Sequence, residues 1–308
     1  MRRRVLSTVV ALFLLLPGAG SASAFDFNLQ GSLKEGGLGH YVPPLSNPLF
    51  NETPYITTEF RPIFIYHDIS DDFLTGGGRI HVIAAEARVA ITDRLGIIAS
   101  KDGYFDLDFD GVLQDDDGFA NISLGVKYAI VNNPSENRIV TIGLEYEPPS
   151  GNLITSGIRM QGTADGFLDM FISAADTWGK IGIEGNIGLN LAIDPDRNSS
   201  MIHASAHADY EILPGLFPLA EVNLFSVVDD GARTPVTFEG VDIVNFGSGP
   251  TGPGTSGAGA STLITMNVGG RYHIMDHIMV GAGYEFPVSS NTNDLFGWRM
   301  TSDIVIYY

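Results

Sequence analysis

The sequence predicts an all-β protein, a transmembrane antiparallel up-and-down β-barrel of about twelve strands. Three observations predict it. Segments of about 10 to 14 residues alternate between apolar and polar positions, short and long connections take turns between them, and a secretory leader opens the chain.

The leader comes first. Arg2, Arg3 and Arg4 form a positive start, Val5 to Leu16 an apolar run, Pro17 and Gly18 a break, and Ala22-Ser23-Ala24 a small-residue cleavage site before Phe25. The apolar run is about 12 residues, short of the roughly 20 that a membrane-spanning helix needs. Residues 1–24 therefore read as a signal peptide, residues 25–58 as an N-terminal segment and 59–308 as the barrel. Without the leader the formal charge moves from −19 to about −22, which makes nucleic acid an unfavourable partner. The chain has no cysteine, so packing and hydrogen bonding hold the fold.

The strands follow from alternation. In "GKIGIEGNIGLNLAI" Ile181, Ile183, Ile187, Leu189, Leu191 and Ile193 share one parity, and Glu184, Asn186 and Asn190 the other. "ANISLGVKYAI", "IVTIGLEYE", "TLITMNVGGRYHI", "IMVGAGYEF" and "WRMTSDIVIYY" repeat the pattern. Such segments fall near 59–68, 79–92, 94–107, 119–131, 138–147, 165–176, 180–193, 201–212, 216–228, 262–274, 278–287 and 297–308. Most exceed the usual globular strand and suit a tilted crossing of a bilayer.

The connections agree. "TDR" at 92–94, "NNPSEN" at 132–137, "TWGK" at 177–180, "LPG" at 213–215 and "MDH" at 275–277 are short; 148–164, 229–261 and 289–294 are longer or more polar. Tyr146, Trp178, Tyr210, Phe286, Trp298 and Tyr308 stand near strand ends, where interfacial girdles belong. A soluble sandwich or barrel explains alternation equally well. Strand length, loop rhythm and a charged face suited to an aqueous lumen favour the outer membrane. Its lipid and lipopolysaccharide are then the expected surroundings.

Two further likenesses add to this reading. The final strand, ending in an aromatic residue, resembles the C-terminal signature of bacterial outer-membrane proteins, which implies the barrel-assembly machinery as a partner. "GFANISLGVKYAI" at 118–130 followed by "LEYEPPSG" at 144–151 resembles the outer-membrane family labelled MetA pathway of phenol degradation. Gly118, Leu124, Gly125, Lys127 and Tyr128 match its G-x-x-D-x-x-L-G-x-K-Y strand. Asn121 replaces the acidic residue, and Pro149-Ser150-Gly151 stands for its P-T-G turn. The resemblance covers two strands and implies a transporter or channel for small solutes, aromatic or hydrophobic compounds among them, with no catalytic residues.

The polar parity supplies the candidate lumen residues: Glu86, Arg88, Lys127, Glu145, Glu147, Asp169, Glu184, His203, His207, Asp209, Glu211, Glu221, Arg271, His273, Glu285, Arg299 and Asp303. A twelve-stranded barrel lies between those filled by side chains and the open porins, so either a narrow pore or a lumen closed by ion pairs is expected. An open lumen with this excess of acids would favour cations or neutral solutes. A closed lumen would suit a structural or surface-interaction barrel.

"MIHASAHADYEI" at 201–212 concentrates two histidines and two carboxylates on one parity. His203 with Ser205 would be the base and nucleophile of an outer-membrane lipid hydrolase, but no orienting third residue can be assigned and the pair faces inward. His203 and His207 are four residues apart, roughly 13 Å on a strand, too far to share an ion. His207 and Asp209 could share one only with help from a neighbouring strand. The surplus of carboxylates makes His203 and His207 expected pH-sensitive wall residues. "DLDFDGVLQDDD" at 106–117 matches D-x-D-x-D-G, so Asp106, Asp108, Asp110 and Asp117 would suit calcium, the one cofactor expectation. The alternative is a solvated acidic loop on a strand that projects above the membrane. Residues 25–58 read as a periplasmic tail or a plug, and the Gly-rich 229–261 as an inward constriction or an outer loop.

Overall fold

The computed structural model describes residues 27–308 apart from 74, 160, 162–164, 197, 230–261 and 290–295. The expected leader and most of the 229–261 loop thus lie outside the described residues.

Twelve antiparallel strands close into one barrel: β1 Glu59–Ile69, β2 Gly78–Ala90, β3 Leu95–Phe109, β4 Ser123–Asn133, β5 Arg138–Glu147, β6 Phe167–Trp178, β7 Ile181–Ala192, β8 Ser200–Tyr210, β9 Leu216–Asp229, β10 Thr262–Met275, β11 Ile278–Pro287 and β12 Phe296–Tyr307. Each pairs with its neighbours in sequence, and β1 pairs with β12 to remove the last edge. Two accessory pieces sit at the long-loop end: a short strand Asp116–Phe119 on the upper part of β3, and a hairpin of Ile154–Thr155 with Ile158–Arg159.

The barrel is inverted relative to a soluble protein. Leu124, Val126, Tyr128, Ile172, Ile183, Ile187, Val222 and Val268 are exposed on the outside, while Lys127, Glu145, Glu184, Asn223 and Arg271 are buried within. Apolar side chains left facing out over most of the wall are costly in water and required in hydrocarbon, so the surface is that of a transmembrane barrel. Trp178, Tyr210 and Tyr308 mark the short-turn rim. Toward the other rim Tyr66 stacks on Trp298 with ring centroids 5.1 Å apart, and Trp298 leans on Tyr284 at 5.4 Å.

The pattern reverses at the top of β1 to β3. There Ile69, Ile80, Val82, Phe105, Leu107 and Phe109 turn inward and pack with Phe73, Leu113, Ala120 and Leu153. Arg79, His81, Asp106 and Asp108 take the outer parity. Charge outside and an apolar core inside is the arrangement water demands, so this leaf stands above the membrane. Tyr104 and Phe119, edge to face at 5.3 Å, lie where the reversal occurs.

Residues 38–57 run inside the barrel. The chain crosses the short-turn rim, where Asn28 N donates to Ile91 O at 2.9 Å and Lys34 Nζ meets Asp93 at 2.9 Å. It then climbs to Phe50, which packs with Phe225, Leu263 and Phe296, and returns to Ile56. Ser32 ties the two legs: its N donates to Ile56 O at 2.8 Å, and its Oγ accepts from Ile56 N at 3.1 Å. Pro43, Pro44, Pro48 and Pro54 keep this segment out of the ladder, so side chains of the wall must satisfy its peptide groups.

Candidate functional site

The lumen is built from the inward parity of the strands. Its arginines and lysine stand on β1, β2, β4, β10 and β12, as Arg61, Arg88, Lys127, Arg271 and Arg299. Strands β5 to β9 carry Glu145, Asp169, Glu184, His203, His207, Asp209 and Glu221. One side is thus a basic wall interleaved with acids, and the other is acidic with histidines.

On the basic side Asp303 takes Arg61 Nε at 2.6 Å and Arg271 Nη1 and Nη2 at 2.7 and 2.8 Å. Glu86 receives Arg61 and Arg88, each at 3.2 Å, and Arg88 also binds Glu59, to which Tyr41 donates its hydroxyl. Glu285 Oε1 accepts from Asn223 Nδ2 at 3.0 Å and Thr265 Oγ1 at 2.5 Å, with Arg299 at 3.9 Å from the other oxygen. Arg299 also donates to His67 at 3.2 Å.

On the acidic side both ring nitrogens of His207 face carboxylates: Nδ1 meets Glu221 Oε1 at 2.8 Å and Nε2 meets Asp209 Oδ2 at 3.3 Å. His203 meets Asp169 at 2.8 Å and lies against the Phe50 ring at 4.7 Å. Glu145 accepts from Ser100 and Ser123 at 2.8 and 2.7 Å.

The inner segment joins the two sides with matching charge. Its acid, Glu52, meets the basic wall: Arg88 Nε donates at 2.9 Å, Arg88 Nη2 also binds, and Lys127 donates at 2.6 Å. Its histidine, His40, meets Asp209 at 2.9 Å. Between them Arg271 donates to the carbonyls of Pro43 and Pro44 at 2.6 and 3.0 Å, and Arg61 to that of Leu45 at 3.3 Å. Glu221 accepts from Leu45 N and Ser46 N, each at 2.7 Å. A Cβ at Gly281 would stand 2.8 Å from both Arg271 and Asp303 and 3.0 Å from Leu45, so the wall is bare where Leu45 seats. Lys127, Arg271 and Glu221 are each only 1% exposed, so water does not fill the barrel at this level.

Most of the expected lumen residues face inward. Glu211 lies just beyond β8 at the short-turn rim, its Oε1 accepting from Gly215 N across the turn. His273 is half-buried at the same rim, beside Phe217 and Tyr307. His203 and Ser205 face the lumen, where Ser205 Oγ accepts from Asn47 at 3.4 Å and His203 bonds Asp169. The pair therefore has no lipid-facing geometry. The expected calcium ligands do not converge. Asp106 and Asp108 lie on extended β3, which spaces them nearly 7 Å along one face, and Asp108 is taken by Arg79 at 2.6 Å while Asp117 is taken by Tyr104. Among the described residues no group of three His, Cys, Asp or Glu is placed to hold a metal. Arg61, Glu59, Glu52, His40, Asn223 and Asn267 also belong to the lumen network. Parity opposite Phe60 and Phe64 would have found Glu59 and Arg61; nothing local marks Glu52 or His40.

No protein-family model matches the chain, and no curated protein matches it. Among solved structures it is similar to the COG4313 outer membrane channel from Pseudomonas putida F1, at 12% identity and TM-score 0.57, over 87% of this chain and 100% of that one. The NanC porin aligns at 8% identity and TM-score 0.49, over 82% of this chain and 99% of that one. The KdgM porin aligns at 10% and 0.44, over 80% and 99%. The likeness to the first is one of fold, a closed antiparallel β-barrel of the outer membrane.

Proposed function

We propose that the protein is an outer-membrane channel for small solutes, closed in this state by residues 38–57. The observation that carries this is the filling of the lumen. The wall does not close on itself but leaves room for a separate segment, held at Glu52, His40 and its own backbone by non-covalent polar contacts. Displacing that segment opens a lumen lined by acids, amides and arginines, without covalent chemistry. The likeness in fold to a channel supports passage as the role. The finer reading, aromatic or hydrophobic solutes, is supported by the Phe50, Phe225, Leu263 and Phe296 cluster toward the long-loop end.

The second reading is a sealed structural barrel, favoured by the near-complete burial of Lys127, Arg271 and Glu221. A crosslink separates the two. The chain lacks cysteine, and Asn223 Nδ2 lies 2.9 Å from Ser46 Oγ, so Ser46→Cys with Asn223→Cys places two thiols within reach of a short bis-thiol crosslinker that ties the segment to the wall. In planar bilayers the uncrosslinked double variant should conduct and the crosslinked form should not. Equal conductance in both would remove the segment as the gate, and none in either, in a folded barrel, would favour the sealed reading.

A further inference from the structure

The wall groups that hold the inner segment at Pro43 to Ser46 recognise its backbone. Arg271 takes the carbonyls of Pro43 and Pro44, Arg61 that of Leu45, and Glu221 the N–H groups of Leu45 and Ser46, one on each oxygen. The order matches the sequence Pro-Pro-Leu-Ser: the two prolines carry no N–H and offer only carbonyls, and donors begin at Leu45. Glu221 is completed by His207 and by Asn267 Nδ2 at 2.9 Å, which fix its carboxylate plane. The Leu45 side chain fills the hollow left by Gly281 and Gly283.

Buried charged groups need hydrogen bonds for their remaining lone pairs and protons, which a permanently filled wall can supply from its own side chains. Here a carboxylate and two guanidinium groups are spent partly on neutral peptide groups, in a fixed acceptor and donor order. We infer that this wall is a peptide-binding subsite, with residues 43–46 its tethered occupant. The ligand class is a short peptide, or another amide solute, presenting three successive carbonyls, N–H groups on the third residue and the one after it, and an apolar side chain on the third. This deepens the channel reading and rests on it for the role in passage; the binding stands by itself. A tethered occupant competes at millimolar effective concentration, so a free ligand gains once the tether is weakened.

The test uses residues 25–308, the chain without its expected leader, refolded in detergent micelles and a dye-labelled peptide, acetyl-Pro-Pro-Leu-Ser-amide, followed by fluorescence anisotropy. Leu45→Ala weakens the tethered occupant and leaves the wall unchanged, so it should bind the peptide at least about tenfold more tightly than the parent. Adding Glu221→Gln should reverse that gain by about tenfold, as expected for lost charge-assisted hydrogen bonds. The same peptide methylated on its Leu and Ser nitrogens should not bind. Arg271→Lys, which keeps the charge and loses the fork, gives a second wall variant if Glu221→Gln does not fold. No binding by folded Leu45→Ala, or equal binding of the methylated peptide, would overturn the subsite. Conductance recorded alongside separates the two ideas: conductance without peptide recognition removes only the subsite, and recognition without conductance removes only passage.

Discussion

Glu52 and Lys127 stand 75 positions apart in the chain, yet the lysine ammonium donates to Glu52 Oε1 at 2.6 Å inside the barrel. Arg88 grips the same carboxylate through Nε at 2.9 Å and through Nη2. Burial alone would push the Glu52 carboxyl up, but Arg88 and Lys127 outweigh it and hold it at about 2. This is the main charged anchor of the inner segment.

Glu52→Gln should therefore loosen that segment, since removing one partner of a buried ion pair costs about 3–5 kcal/mol. Limited proteolysis of the refolded protein should show new cleavage within residues 38–57, and conductance should rise. Parent-like protection would mean that the backbone contacts alone hold it.

The same anchor sets an acid response. The folded value, about 2, lies below the ordinary 4.5, so the stabilisation is whole above about pH 4.5 and is lost as pH falls toward 2. Protection against an acid-active protease should drop through that window in the parent and change less in Glu52→Gln, which has no such proton to take up. Identical profiles would refute the assignment.

Gly281→Val should unseat Leu45. A Cβ alone would stand 3.0 Å from it and 2.8 Å from Arg271, and valine adds two methyl groups to that crowding. Overpacking costs about 1–3 kcal/mol. Heat-modifiable gel migration should still report a barrel, with higher conductance than the parent. An unchanged current would place the Leu45 seat elsewhere.

The outer face should respond to charge by depth. Ile187, 56% exposed at the middle of β7, should lose about 2–4 kcal/mol on substitution by arginine, and Ile181 at the short-turn rim about 0–1. Denaturant titration in lipid vesicles measures both. A neutral Ile187→Arg would contradict the transmembrane assignment.

His207→Leu should be more damaging than its position on a wall strand suggests. It removes the ring that meets both Glu221 at 2.8 Å and Asp209 at 3.3 Å, and Asp209 in turn meets His40. Two buried carboxylates lose a donor, a change of about 3–5 kcal/mol. A midpoint shift in denaturant no larger than that of His273→Leu at the rim would show that the network does not depend on it.

The strands were legible because alternation is a local consequence of the pleat. β5 at 138–147 and β11 at 278–287 have the expected bounds. The main displacement, β4 beginning at Ser123 instead of near 119, has a cause: Ala120 and Asn121 are both buried, and Asn121 is drawn to Glu147 and Gln161. Parity placed Glu184, His207 and Arg271 inside. Glu211 lies one residue beyond β8, where its carboxylate accepts from Gly215 N across the turn. The aspartates at 106–110 read either as a calcium loop or as an acidic stretch of a strand projecting above the membrane, because D-x-D-x-D-G records identities and not backbone; Asp106 and Asp108 lie on that extended strand and spread apart.

The sequence by itself determined the barrel and which parity faces lipid, since a bilayer admits strands only as a closed barrel with apolar groups outward, and period-two alternation records that demand residue by residue. Only the tertiary structure decided what occupies the lumen. Residues 38–57 have no period, and their partners lie as far away as Arg271, 228 positions from Pro43. Contacts of that range depend on the closure of the whole barrel, so no window of sequence contains them.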